Sequence, residues 1–511
     1  MNQIWKSKKA AIALSYMGVL AQTLGTIILT RIYLQRLGAD TYGLYQMVYS
    51  VAQYILILDL GISTTMIRFI AEFDTRKDVV RKENFAFHFI LIVAFLCAII
   101  IGVGLVVNAN IENIYKTLTP EEYTLAHEMF LLMIGQILLT VLGHYFKGIA
   151  MANEQYTLIK LLGVLDTIIN IVLVITFLNT GFGVMGIVYA KSIVIIIQLL
   201  VPAIVDFTAL KFKIRFHYWD FPMLKPAFAL MIAMLLQSIV GYVNNSVDKT
   251  ILGIMTTKVD VAVYSIAATF VTMFNTLPTS ISSVFQTKAT KIVVSGASRD
   301  ELTDFVVRPG RFQFMITAGF IGGFFLLGKD FIKCWTGDKM SDAWLYAMLI
   351  MVPNMIPLVQ NTCLSILNAM DKRLFRSLIL VAITVINIGM TVSFIGVIGP
   401  VGAPLATGIS YIIGHIILMN IYYQKKIHLN VPDMFRKIFS RIWVCVLIAL
   451  VLNAPLTLWK VDHNWGILIA RGMIFIIVYG LAIWLYGFNE SEKKMVAGVL
   501  AKFHIHLPVN K

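Results

Sequence analysis

Charges in unexpected places carry the first clue. In LDLGISTTMIRF, from Leu58, an acid, Asp59, directly precedes Leu60-Gly61, and a base, Arg68, follows nine residues later in an otherwise apolar run. Further charges interrupt other apolar runs: Arg31, Asp166, Lys191 and the adjacent pair Asp248-Lys249, with Arg308 and Arg311 opening another run. His144, Lys147 and His415 are further polar candidates. Arginine grips phosphate through two parallel hydrogen bonds, and lysine acts as a point charge. A set of bases in a sheltered cavity therefore suits an anion such as a lipid pyrophosphate headgroup. Arg31, Arg68, Lys191, Lys249 and Arg311 are bases among these charges, and Asp59, Asp166 and Asp248 are the acids. Each has a plainer reading. Arg31 and Arg68 can snorkel to an interface, Arg311 can be a positive-side anchor, and Asp166 and Lys191 can simply lock two helices together.

Enzymatic signals are absent. No GxxxxGK[ST] loop cradles a phosphate, no HExxH occurs, and no paired cysteines suggest a metal. Cys97, Cys334, Cys363 and Cys445 lie far apart and read as small packed residues. No catalytic residue, metal ligand or cofactor is expected.

The elements that must hold these charges are membrane helices. The chain is 59% hydrophobic and 14% charged. Soluble chains carry about 25% charge. Apolar runs of about 20 residues, enough to cross the hydrocarbon, recur from end to end. We read fourteen spans near 10–33, 42–70, 85–107, 126–148, 157–178, 183–206, 226–254, 259–284, 308–328, 343–366, 376–397, 401–422, 440–459 and 464–487. The basic start MNQIWKSKKA leads into an uncleaved first span. The formal charge of +15 is concentrated in alternate short loops, which argues for membrane topology rather than nucleic acid. Basic loops stay in the cytoplasm, which puts both termini there.

A rise of ~1.5 Å per residue puts Asp166 and Lys191 at similar depth on neighbouring, oppositely directed helices. Asp248 and Lys249 point about 100° apart on theirs, so at least one is expected to avoid lipid.

The chain also repeats. Asn170, ending IIN, and Asn387, ending VIN, are 217 residues apart. AMANEQ at Ala150 faces NAMDKR at Asn368, GVMG at Gly183 faces GPVG at Gly399, and GLY ending at Tyr45 faces AVY ending at Tyr264. Two six-span lobes are expected, at 1–210 and 211–425, with spans 13–14 and a cytoplasmic tail at 426–511. An even number of spans per repeat places a pseudo-twofold along the membrane normal. Polar residues within the apolar runs include Gln136, Asn170, Gln237, Asn244, Asn245 and Asn387.

RLGADTYGLYQ from Arg36, LDLGISTTMIRFIAEF from Leu58, VDKTILG from Val247 and the GVMG and GPVG turns resemble the polysaccharide flippases of the MOP transporter superfamily, the O-antigen and capsule repeat-unit translocases. The resemblance implies an all-α integral membrane protein of MOP/MATE-like fold. It implies a flippase carrying an undecaprenyl-pyrophosphate-linked oligosaccharide from the cytoplasmic to the outer leaflet of a bacterial inner membrane. Arg31, Arg68, Lys191, Lys249 and Arg311 would then contact the headgroup, Asp59, Asp166 and Asp248 would be pairing or coupling acids for a proton or sodium gradient, and the polar residues named above would recognise the sugar. Partners would be the lipid-linked substrate, the bilayer and polysaccharide assembly proteins. A cation-coupled multidrug exporter, a membrane glycosyltransferase or polymerase, and a structural scaffold are the competing readings.

Overall fold

The computed structural model describes residues 8–370, 373–459 and 461–501. Lys6 and Ser7 of the basic start and Asp371 and Lys372 of the repeat lie outside them, as do the side chains of Gln237, Asn244 and Asn245. Among the described residues the fold is all-helical, with no strand. Contacts divide the chain into two compact units, Met1–Ser265 and Ile266–Lys511.

Unit 1 contains α1 (Lys8–Ile55), α2 (Ile62–Thr75), α3 (Val79–Ala109), α4 (Pro120–Ala152), α5 (Tyr156–Asn179), α6 (Met185–Thr208) and α7 (Phe221–Met255). The helix α8 (Lys258–Val294) runs across the boundary. Unit 2 adds α9 (Arg299–Thr336), α10 (Ala343–Val359), α11 (Asn361–Ala369), α12 (Arg373–Ile398), α13 (Gly402–Tyr411), α14 (Val431–Phe439), α15 (Ile442–Asn453), α16 (Trp465–Ala482) and α17 (Glu490–Ala501). Among the described residues, eleven stretches are long and apolar enough to cross a membrane. Two of them, Met17–Thr75 and Leu378–Lys426, each cover two of the expected spans. The expected seventh span lies within the single helix α7, whose described apolar start is Phe221–Leu235.

Local chemistry sets the breaks. The turn inside α1 is a single residue, Gly38, at φ 76° and ψ 172°, a conformation open essentially only to glycine. A second break follows Asp59, where Leu60 and Gly61 both adopt left-handed φ, 50° and 67°. A Cβ on Gly61 would lie 2.7 Å from Met234 Cγ on α7, so glycine is needed there for both space and backbone. Polar caps start the helices in water. Thr119 and Glu122 form a capping box at α4, and Ser298 and Glu301 form another at α9.

Within unit 2, α14 buries Val431, Met434 and Ile438 and turns Asp433, Arg436 and Lys437 outward. Val446 on α15 and Phe475 and Tyr479 on α16 approach glycines of α9. The main core of unit 2 gathers residues of α9, α11, α14 and α15. Cys334, Cys363 and Cys445 are buried and Cys97 is half-buried, all as free thiols.

Candidate functional site: a basic cavity in unit 1

Lys160, Gly163, Asp166, Thr167 and Asn170 recur at three- and four-residue spacing, so they share one face of α5. That face is one wall of a cavity of about 680 Å³. Gly18, Gln22, Gly25 and Thr26 of α1 form the facing wall, with Ser63 and Thr64 of α2, Lys147 of α4 and Lys191 of α6 completing it. Gly25 permits the close approach of the two walls, since a Cβ there would lie 2.6 Å from Thr167 Cγ2. Three ammonium groups face one carboxylate, a formal charge of +2.

Lys191 Nζ is 3.8 Å from Asp166 Oδ1. This is an ion pair by proximity, too long for a hydrogen bond. Asp166 Oδ1 and Asn170 Oδ1 are buried and accept no hydrogen bond. They lie one turn apart on one helix face, an arrangement suited to a cation. In unit 2, Asn387, the repeat equivalent of Asn170, donates to Thr407 Oγ1 at 3.0 Å. The same register puts Ala190 opposite Thr407, and alanine offers no such hydroxyl.

Behind the main cavity lies a smaller one of about 60 Å³, bordered by His144, Lys147 and Gln198. His144 Nδ1 is 2.8 Å from Asp59 Oδ1. The backbone break thus presents a carboxylate to the imidazole of α4.

The other expected residues lie elsewhere. Arg31 is half-buried on α1, outside the cavity lining. Arg68 is exposed on α2, with its guanidinium 5.7 Å from the Phe69 ring centre. Lys249 Nζ donates to Gln46 Oε1 at 3.2 Å, while the buried Asp248 accepts from Tyr264 Oη at 2.5 Å. These adjacent residues, on different faces of α7, therefore have different partners. Thr250 adds contacts from α7 to Ser50 and Tyr54 in the second half of α1. Arg308 reaches Met495 Sδ at 3.4 Å, and His415 stacks edge-on against Tyr411.

Arg311 lies in unit 2 and is 6% exposed. It donates through Nε to Glu492 at 2.6 Å, through Nη1 to the carbonyls of Lys437 and Ser440, and through Nη2 to the Gly487 carbonyl and to Glu492. A second buried arginine, Arg471, escaped the sequence reading. It is 2% exposed and pairs with Asp330 at 2.8 Å. Lys160 also escaped it, although the three- and four-residue polar stripe through Gly163, Asp166, Thr167 and Asn170 continues back to it. Among the described residues, no three His, Cys, Asp or Glu side chains gather as a metal site.

The model of a family described as "Polysaccharide biosynthesis protein" matches residues 7–285. A comparison with curated proteins gives no match. Among solved structures, the chain is similar to a lipid II flippase, MurJ, in an inward closed conformation. That similarity has a TM-score of 0.72 at 17% identity and covers 92% of this chain and 98% of MurJ. It is also similar to an inward-facing multidrug resistance MATE family transporter of the MOP superfamily, with a TM-score of 0.65 at 18% identity over 82% of this chain and 98% of that one. The Vibrio cholerae MATE transporter VcmN, as a point mutant, gives a TM-score of 0.55 at 14% identity over 84% of this chain and 99% of that one. The shared fold is that of MOP-superfamily transporters.

Proposed function

Because the chain belongs to the polysaccharide biosynthesis protein family, we propose that it is a flippase for an undecaprenyl-pyrophosphate-linked oligosaccharide repeat unit. It moves the lipid from the cytoplasmic to the outer leaflet of a bacterial inner membrane by alternating access. The observation that carries this reading is the cavity of unit 1, where Lys147, Lys160 and Lys191 meet a single acid, Asp166. Each ammonium offers three donors and no acceptor, which suits phosphate oxygens. The polar wall of Gln22, Thr26, Thr167 and Asn170 offers hydrogen bonds to neighbouring hydroxyls. The likeness to a lipid II flippase is a likeness of fold and agrees with a lipid-linked phosphate as cargo.

Coupling belongs to the acids. Asp166 and Asn170 offer two oxygens that accept no hydrogen bond, and Asp59 holds His144. A proton or a sodium ion taken up at either place changes the charge beside the lysines. Asp248, held by Tyr264, is a pairing acid in this scheme. No cofactor and no catalytic residue is needed, and the basic loops keep both termini in the cytoplasm. Polysaccharide assembly proteins would supply the substrate and receive it.

The test uses Lys191→Ala and Lys147→Ala at matched membrane abundance, with Arg31→Ala as an off-cavity comparison. A membrane-impermeant label reports the leaflet that holds the glycan lipid. Accumulation on the cytoplasmic side in the lysine variants is expected. Normal translocation in both would overturn the reading and favour a cation exporter, whose transport would fall instead with Asp166→Asn.

A further inference from the structure

The link from α6 to α7 is an extended strap with two chemically different faces. After Thr208 the chain unwinds through Lys211 at φ 50°, and residues 211–220 form no helix. Bases and apolar residues alternate along it as Lys211-Phe212-Lys213-Ile214-Arg215-Phe216. In an extended chain such alternation sends the two kinds to opposite sides. Lys211, Lys213 and Arg215 are exposed, and Phe212 is buried.

The inner face is fixed to the start of α3. Asn84, fully buried, donates to the Tyr218 carbonyl at 2.9 Å and accepts from the backbone N–H groups of His217 at 3.1 Å and Tyr218 at 3.3 Å. One side chain thus supplies three hydrogen bonds that a sheet neighbour would otherwise make. His217 Nε2 is 3.0 Å from Glu83 Oε2. Phe216 packs on Phe87, and Trp219 meets His88 edge-on. The strap ends in two stacked rings, Trp219 and Phe221, with centres 5.6 Å apart at 8°. They remain 62% and 67% exposed.

The strap joins a membrane-spanning helix to the apolar start of α7, which places it at the boundary of water and hydrocarbon. Aromatic rings prefer that boundary, and basic residues there attract anionic lipids. A soluble acidic partner would account for the bases but not for the bare ring pair beside them. We propose that residues 211–221 form a binding surface for anionic phospholipid. Lys211, Lys213 and Arg215 hold the headgroup phosphates, and Trp219 and Phe221 lie among the upper acyl chains. Asn84 positions the strap and does not touch the lipid.

The experiment is native mass spectrometry of the full purified chain, titrated with phosphatidylglycerol or with phosphatidylcholine. The wild type is expected to retain phosphatidylglycerol preferentially. Neutralising one base is expected to weaken that retention about fivefold, and Lys211→Gln/Lys213→Gln/Arg215→Gln together should abolish the preference. Lys425→Gln/Lys426→Gln, in another basic loop, should leave it intact. Lys211→Arg/Lys213→Arg, which keeps the charge, should also keep the preference and shows that the loss is not misfolding. Equal retention of both lipids by the wild type would overturn the proposal and leave the bases to a soluble acidic partner. An unchanged preference in the triple variant would overturn it as well.

Discussion

Arg311 and Glu492 are 181 residues apart in sequence, and the carboxylate of one takes two of the five N–H donors of the other. Backbone carbonyls of Lys437, Ser440 and Gly487 take the remaining three. A guanidinium has five donors and no acceptor, so Arg311 has no donor left for a ligand. Its partners lie on α14, between α14 and α15, after α16 and on α17. It therefore joins four elements at one end of unit 2.

Removing one member of a buried pair strands the other charge, at a cost of about 3–5 kcal/mol. Glu492→Gln is therefore expected to lower the melting temperature of the purified protein and its abundance in membranes. Arg311→Lys should do the same, because an ammonium cannot reproduce the five-donor fork. At matched abundance, neither variant should lose more transport than its stability loss explains. A transport defect in a fully stable Arg311→Lys protein would return Arg311 to the headgroup role.

The cavity of unit 1 predicts a different signature. Hydrogen bonds to charged groups contribute about 1.5–3 kcal/mol each, which is roughly 10- to 100-fold in apparent affinity. Lys191→Ala is expected to raise the substrate concentration for half-maximal transport by such a factor while leaving the melting temperature nearly unchanged. Its side chain is 44% exposed and contributes little to packing. Lys191→Arg should retain most transport. A matched fall in melting temperature would make Lys191 a structural lock instead.

The sequence made the spans legible because each needs a long apolar run, and α3, α5 and α6 coincide with the runs to within a few residues. It also made Asp166 and Lys191 legible, since depth counting along two antiparallel neighbours puts them at one level, and they lie 3.8 Å apart. Lys160 was obscured by its place near a helix end, where a lysine reads as an interfacial anchor. The pairings of Arg311 with Glu492 and of Arg471 with Asp330 were not legible at all. They join residues 181 and 141 positions apart, and no local pattern encodes which distant acid a base will meet.

The break after Asp59 rests on one glycine. Gly61→Ala meets two penalties: a left-handed backbone, at about 1–2 kcal/mol, and contact with Met234. Thermal melting of Gly61→Ala, Met234→Ala and the double variant separates them. The double variant should recover the steric part and keep the backbone part. Complete recovery would show that the left-handed geometry is not needed to present Asp59 to His144.

The last helices are fastened to α9 at two levels. Arg311 and Asp330 lie nineteen residues apart on that helix, about 28 Å at ~1.5 Å per residue. This is close to the hydrocarbon thickness of ~30 Å. Arg311 holds Glu492 and Asp330 holds Arg471, so two ion pairs hold the same helix at two separate levels. Ending the chain at Asn430 would remove both partners and leave two charges of opposite sign exposed to lipid or to a gap. It would also uncover Gly310, Gly319, Gly322 and Gly323, against which Ile438, Tyr479 and Phe475 pack. The truncated protein is expected to fall to a small fraction of wild-type abundance in membranes. Asp330→Leu/Arg471→Leu, which removes both charges of one pair together, should be far milder than Asp330→Leu alone, because it leaves no buried Arg471 charge without its partner. Melting temperatures of Asp330→Leu, Arg471→Leu and the double variant measure the coupling. Additive losses would show that the pair is solvent-screened and that packing alone holds α15 and α16 in place.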